Sequence, residues 1–328
     1  MEEFNCKTAR EFLDKLDITK DEWSSGDWLS QWIFRGQSDA DWDLMASAWR
    51  EDKQGFNWED KDLKEKAKSK LDQFKANPHE VILDSVRQAL DAGKGNLIIE
   101  SLFQGALEIK YIRSFVELAL DVGFKIDPVD NALSNEFDYI ECNGKKPRWC
   151  YSMHHYAKWA AVAQHHGVPT RLLDWTKDPF KAAFFAIDGL SFDSDCGSKK
   201  VAVWAYRKNA PSYRSYKIQN NNEKNIRIME YEIPRYKNAY VHAQDGYFTF
   251  MEGEHHFYFE NERYPSFNEI IIDMEEVNKT EYLKKITLPY KECKELLRML
   301  SLKRISKVTL MPTWDNLIKT IQSNKIGI

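Results

Sequence analysis

The stretch QHHGVPTRLLDWTKDPFKAAFFA, residues 164–186, constrains the fold of this chain more than any other. Asp178 stands directly before Pro179, an N-cap followed by proline at the first helical position, so a helix starts there. FKAAFFA then presents a small, apolar helix face, with Ala182, Ala183 and Ala186 permitting close approach to a sheet. Upstream, a helix predicted from about Ser152 into Gln164 is broken by Gly167 and Pro169. Asp174, Trp175 and Thr176 form a turn in front of the second helix, where free N–H groups and the helix dipole favour a phosphate or carboxylate. Two readings follow. Either these residues are the floor of an anion site, or Asp174 pairs with Arg171 and Trp175 packs in the core.

The rest of the chain supplies a sheet for that helix. WIFRG (32–36) is a short apolar run ended by Gly and suits a buried strand. VAVWAYR (201–207) and EIIID (269–273) read as strands covered on both faces. AYVHAQDGYFTF (239–250), LKKITLP (283–289) and ISKVTLMP (305–312) also read as strands. Helices are expected over residues 8–17, over KECKELLRMLSL (291–302) and over WDNLIKTIQ (314–322). From about Leu44 to Asp138 the pattern is mostly helical, with DSVRQALDAG (84–93) and IKYIRSFVELALDVG (109–123) ending in Gly. FDYIECNGKKPR (137–148) reads as a loop. The expected architecture is α+β, with a helical insert between a first strand and a later mixed core.

At 328 residues, 43% hydrophobic and 30% charged, the chain can bury a substantial core, and disorder is not favoured. No apolar run reaches bilayer-spanning length, and MEEFNCKTAREFLDKLD lacks the basic start and apolar core of a signal peptide; the expected compartment is the cytoplasm, with no membrane partner. The five cysteines, Cys6, Cys142, Cys150, Cys196 and Cys293, form no CxxC pair, which points to reduced thiols and away from zinc.

A net charge of −4 argues against a uniformly basic nucleic-acid binder but leaves room for a local groove. Residues 199–237 hold ten basic side chains, among them Lys199, Lys200, Lys208 and Arg214, against three acidic ones. Trp204, Tyr206, Tyr213, Tyr216, Tyr231 and Tyr236 are interleaved with them. Cations alternating with aromatics suit RNA or single-stranded DNA; the alternative is a solvated surface over core aromatics.

The pairs His154-His155 and His165-His166 have no Cys or carboxylate at ligand spacing, so no metal is expected; a histidine that orients the Gly-Val-Pro turn is the simpler account. Arg35 closes the first strand and is followed by Gly36. There it can hold a phosphate bidentately, or pair with Asp39, Asp41 or Asp43.

Together, WIFRGQ (32–37), LMASAWR (44–50), QHHGVPTRLLDWTKDPFKAAFFA, AQDGYF (243–248) and the closing LKKITLPYKECKELLRML…LMP resemble the FRG domain, whose Phe-Arg-Gly is here Phe34-Arg35-Gly36. Where that family has an Arg shortly before its Gln-x-Gly-x-Phe, this chain has Tyr240-Val241-His242. The resemblance implies a single domain over 1–328, with a helical insert of about 51–150 and a core from 28–50 and 151–328.

The order of these motifs is similar to that of ADP-ribosyltransferases of the Arg-Ser-Glu type. The likeness implies a mainly antiparallel sheet core of that fold and NAD as co-substrate. Arg35 would clamp phosphate, Thr176 with Asp174 and Trp175 would wall the ribose, and Gln244 would stand on the third element. Glu252 and Glu254 are the nearest matches for the catalytic Glu. Gly36, Gln37, His166 and Arg171 complete the implied NAD-contacting set. The resemblances further imply a toxin or phage-defence effector that modifies nucleic acid, RNA before DNA, neutralised by an antitoxin and served by a chaperone. The competing expectations are a transferase acting on protein and a non-catalytic nucleotide- or nucleic-acid-binding module.

Overall fold

A computed structural model describes residues 1–23, 30–52, 55–77, 84–124, 153–192, 198–208, 216–217, 223–224, 226–232, 239–278 and 281–322. The strands are β1 (Glu2–Asn5), β2 (Trp32–Gln37), β3 (Leu173–Thr176), β4 (Lys200–Arg207), β5 (Tyr216–Lys217), β6 (Glu223–Lys224), β7 (Arg227–Tyr231), β8 (Gly246–Glu252) and β9 (Leu283–Pro289). The helices are α1 (Ala9–Lys15), α2 (Lys61–Ala76), α3 (Asp84–Asp91), α4 (Gly95–Asp121), α5 (Met153–His165), α6 (Pro179–Ile187), α7 (Ala239–Gln244), α8 (Glu254–Asn261), α9 (Phe267–Asn278), α10 (Cys293–Leu302), α11 (Lys307–Leu310) and α12 (Trp314–Gln322).

Seven strands form one open sheet in the order β1-β9-β4-β2-β3-β8-β7, with β5 and β6 paired separately. Among the described residues only the β1–β9 pair is parallel. Alternation along β4 shows how the sheet is covered. Val201, Val203 and Ala205 enter a core shared with α1, α6 and α10, while Ala202, Trp204 and Tyr206 enter one shared with α9. A third core joins α2, α3, α4 and α5 to Phe248 and Phe250 of β8. The helical run between β2 and β3 thus packs onto the sheet.

Four local readings change. EIIID lies inside α9: Phe267, Ile270, Ile271 and Met274 bury one helical face at i, i+3, i+4 and i+7, a period that a five-residue window conceals. AYVHAQ is α7; Asp245, at φ 49°, reverses the chain and only then does β8 begin. In ISKVTLMP, Ser306 and Thr309 form a reciprocal capping box that starts α11. Trp175 and Thr176 extend a strand, β3, where a turn was expected. Residues 125–152, including the FDYIECNGKKPR loop, lie outside the described residues.

Candidate functional site

The site lies where the sheet opens. β2 pairs with β4 over six residues, but with β3 only at Phe34–Thr176. Past that point Arg35 spans the gap: its Nη1 donates to the Asp174 carbonyl at 2.7 Å and to Asp174 Oδ1 at 2.5 Å. The paired Asp is therefore Asp174, in place of the expected Asp39, Asp41 or Asp43, and Arg171 turns elsewhere. Gln164, at the end of α5, donates from Nε2 to the same Asp174 oxygen at 3.0 Å and accepts at Oε1 from Thr170 Oγ1. Thr170 is bound in turn to Ser47: its N–H donates to Ser47 Oγ, which donates to its carbonyl. The LMASAWR and GVPTRLLDWT motifs are thereby hydrogen-bonded to each other.

On the other side, Thr176 Oγ1 donates to the Gln244 carbonyl at 2.6 Å and accepts from Asp178 N–H. Asp178 caps α6 through Phe180 and Lys181 N–H, as expected for an Asp-Pro start. Gln244 Nε2 donates to the Leu310 carbonyl of α11.

These groups enclose a cavity of about 190 Å³. Arg35, Gln164, His165, Asp174, Thr176 and Gln244 form its polar wall, and Phe34, Phe185, Phe248 and Met311 its apolar wall. Arg35, Thr176 and Gln244, far apart in sequence, therefore meet in one place.

The electrostatics are those of a shared charge. Asp174 keeps 62% of its side-chain surface open, yet protein surrounds it in a concavity. Desolvation there raises its pKa, but Arg35, by charge and hydrogen bond, and Arg50 outweigh this and hold it below the usual carboxylate range. Arg35 itself is only partly satisfied: its Nε is buried without a hydrogen-bond partner. Burial first, then the neighbouring His166, pushes His165 down to about 4 against the pull of Asp174, so its imidazole is neutral at pH 7. Burial and then Arg35 lower Arg50, against the pull of Asp174 and Asp52.

Several expected site residues do other work. Arg171 is buried in an ion triad: N–H and Nε donate to Glu108, and Nη1 donates to Glu254 at 2.7 Å. Glu254 is thus a structural anchor, its pKa raised by burial although Arg171 opposes this. Glu252 lies opposite Arg227 at the far end of β8, roughly 20 Å along the strand from the cavity-lining Gly246. Gln37 is turned into the sheet, accepting from Trp204 Nε1 at 2.6 Å and donating to the Asp43 carbonyl. Trp175 contributes to the cavity wall, but its indole donates to Thr249 and packs on Tyr206 and Phe267. His166 is exposed, stacks on Phe115 and lies outside the cavity lining. Gly36 lines the cavity, but its main demand is packing: a Cβ there would lie 2.1 Å from the Ala182 carbonyl.

Among the described residues the basic stretch is divided. Lys199 and Lys200 sit at one end of β4 and Lys208 at the other, roughly 25 Å away, with Trp204 and Tyr206 buried between them. Lys200 donates to Asn5, and Lys208 lies over the Tyr247 ring. Arg214 is outside the described residues. Among the described residues no cluster suits a metal ion, and no helix is long and apolar enough to cross a membrane.

The FRG domain model matches residues 129–194. That span contains α5, the GVPTRLLDWT block and α6, so the resemblance read from the sequence holds over the wall that carries Gln164, His165, Asp174 and Thr176. The Phe-Arg-Gly triplet of β2, which faces this FRG segment across the cavity, lies outside the matched residues. No curated protein and no solved structure matches the chain.

Sequence reasoning left Gln164, Arg50 and Glu108 without roles. Arg50 ends LMASAWR and Gln164 opens the quoted block, so both had a motif to point to them. Glu108 lies 63 residues from Arg171 within an ordinary helical pattern and had none.

Proposed function

We propose that this cavity takes the nicotinamide-ribose end of NAD and that the protein is an NAD-dependent ADP-ribosyltransferase. The observation that carries the reading is the meeting of Arg35, Thr176 and Gln244 around one cavity. The cavity is smaller than the roughly 300–1,000 Å³ of pockets for whole ligands, which suits one end of a dinucleotide with the remainder across the opening.

Transfer breaks the nicotinamide–ribose bond, whose electron pair leaves with nicotinamide while an acceptor nucleophile bonds to the ribose carbon and releases its proton. Positive charge builds on the ribose as that bond lengthens. In this reading Asp174 supplies the opposing negative potential, taking the place assigned to Glu252 or Glu254. Arg35 and Gln164 fix the carboxylate, and its lowered pKa keeps it charged throughout the neutral range. Neutral His165 and Thr176 are dipolar wall groups that add no competing charge. The acceptor is proposed to be nucleic acid, and a toxin or defence role follows from the family resemblance.

A second reading has one observation in its favour: the described cavity lining carries Gln244 and no glutamate, which suits a module that binds a nucleotide without turnover.

The test is nicotinamide release from NAD by purified protein and its Arg35→Lys variant, with mass spectrometry of RNA, DNA and protein incubated alongside. Lysine keeps the charge but loses the planar fork; losing charge-assisted hydrogen bonds costs roughly 1.5–3 kcal/mol, about ten- to a hundredfold in rate. Saturable NAD binding without nicotinamide release would favour the second reading, and absence of NAD binding would refute both.

A further inference from the structure

The last helix turns its polar edge inward. α12 carries Trp314, Leu317, Ile318 and Ile321 at i, i+3, i+4 and i+7, an apolar stripe of the kind that ordinarily packs on a core. Yet all four are exposed, from 39% at Leu317 to 84% at Trp314, and α12 buries none of its residues. The half-buried side is polar, formed by Thr313, Asn316 and Thr320. The helix is tied at its start: Thr313 Oγ1 accepts from Asn316 N–H at 3.1 Å, and Asn316 Nδ2 donates to the Met311 carbonyl at 2.9 Å. Met311 lines the cavity, so α12 hangs from the segment that walls it. Its nine residues fall short of the roughly 12–15 that sustain a helix on propensity alone, so a cover over the stripe would contribute directly to its stability.

We infer that the stripe is a self-association surface, on which α12 pairs antiparallel with α12 of a second copy. Area and charge choose that occupant. The four side chains expose roughly 500 Å² per copy, so a two-fold pair covers about 1,000 Å² before its rim is added, the lower limit for specific association and the size of a weak, micromolar dimer. The two charged residues of α12, Asp315 and Lys319, are exposed, of opposite sign and on one flank of the stripe. An antiparallel pair that sets Leu317 against Ile318 of the second copy, and Trp314 against its Ile321, brings Asp315 within about 1.5 Å along the axis of the level of the second copy's Lys319. The two-fold axis repeats that match at the other end. A parallel pair in register would instead level like with like. A lipid surface asks for several basic residues beside the stripe, and α12 has Lys319 alone.

Sedimentation equilibrium of the full chain, from low micromolar concentration upward, should show a reversible monomer–dimer equilibrium. Ile318→Glu, which puts a charge in the middle of the stripe, should weaken it about tenfold or more. Asp315→Lys and Lys319→Glu should each weaken self-association, and the two variants mixed should associate again. Mixing restores opposite charges across the pair while each helix keeps two like charges of its own, so an effect within one helix cannot produce the rescue. A parent chain that stays monomeric, or a dimer that Ile318→Glu leaves as tight, would overturn the inference. A dimer without rescue on mixing would overturn the antiparallel pairing. A monomeric parent that binds phosphatidylglycerol vesicles through the stripe would assign the surface to lipid and refute the second copy. If Ile318→Glu fails to fold, the mixing experiment decides. None of these measurements involves NAD, so failure here leaves the transferase reading standing, and failure of that reading leaves this one standing.

Discussion

Gly36→Ala should unfold much of what the Phe-Arg-Gly strand supports, for a reason that has nothing to do with a ligand. A Cβ at position 36 would lie 2.1 Å from the Ala182 carbonyl oxygen and 2.4 Å from Ala186 N, where ordinary contacts are about 3.5–4 Å. Both obstacles are backbone atoms of α6, so no side-chain rotation relieves them. The helix must move outward by more than about 1 Å. A nine-residue helix is about 13 Å long, and with a contact face about 10 Å wide such a shift opens on the order of 130 Å³. At about 24 cal/mol per Å³ of cavity that is about 3 kcal/mol, a large share of the 5–15 kcal/mol that typically separates folded from unfolded chains. Urea unfolding of parent and variant measures it, provided that the slope stays constant. Ala182→Gly should not rescue the variant, because the clash is with the carbonyl and not with the methyl. A loss below about 1 kcal/mol, or rescue by Ala182→Gly, would refute the close approach of α6 to β2.

Two further outcomes are expected. Arg171→Met should cost about 3–5 kcal/mol in denaturant unfolding, because it leaves Glu108 and Glu254 buried without their cation; a loss under 1 kcal/mol would show that the triad is not what joins α4 to the GVPTR turn. His165, at about 4 in the fold against an ordinary 6.5, contributes stability that is intact above pH 6.5 and is lost as pH falls from 6.5 through 4, by up to about 3 kcal/mol. His165→Gln should therefore flatten the stability curve over that window, and superimposable curves for parent and variant would count against a buried neutral imidazole.

What the sequence made legible was local. Asp178 before Pro179 announces a helix start because cap and proline act within one turn. VAVWAYR announces a central strand because Val201 to Tyr206 are buried in succession, on both faces of the sheet. EIIID misled because a short apolar run has no period of its own; Phe267 and Met274 on either side settle it as helix. Long-range partners were not legible. Arg35–Asp174 spans 139 residues and Arg171–Glu254 spans 83, and each arginine had nearer carboxylates that chain spacing favoured. Glu252 and Glu254 followed the right motif but miss the cavity, since β8 carries Glu252 away from it and α8 turns Glu254 into the core.

The same geometry explains why so much chemistry precedes one helix. In a strand, successive side chains face opposite ways, so a block that must both anchor a sheet and line an opening has to interleave the two roles. Leu173 and Trp175 give their side chains to the core shared with α9, while Asp174 and Thr176 meet Arg35 and Gln244 at the cavity. Upstream, Thr170 and Arg171 attach the block to Ser47 and Glu108 before the strand begins. The block therefore anchors the sheet and lines the cavity through different residues of the same seven. The precision of the Asp174 carboxylate depends on that sharing. Its own side chain is open to water, and it is held by Arg35 and Gln164, whose positions are set by neighbours committed to the core.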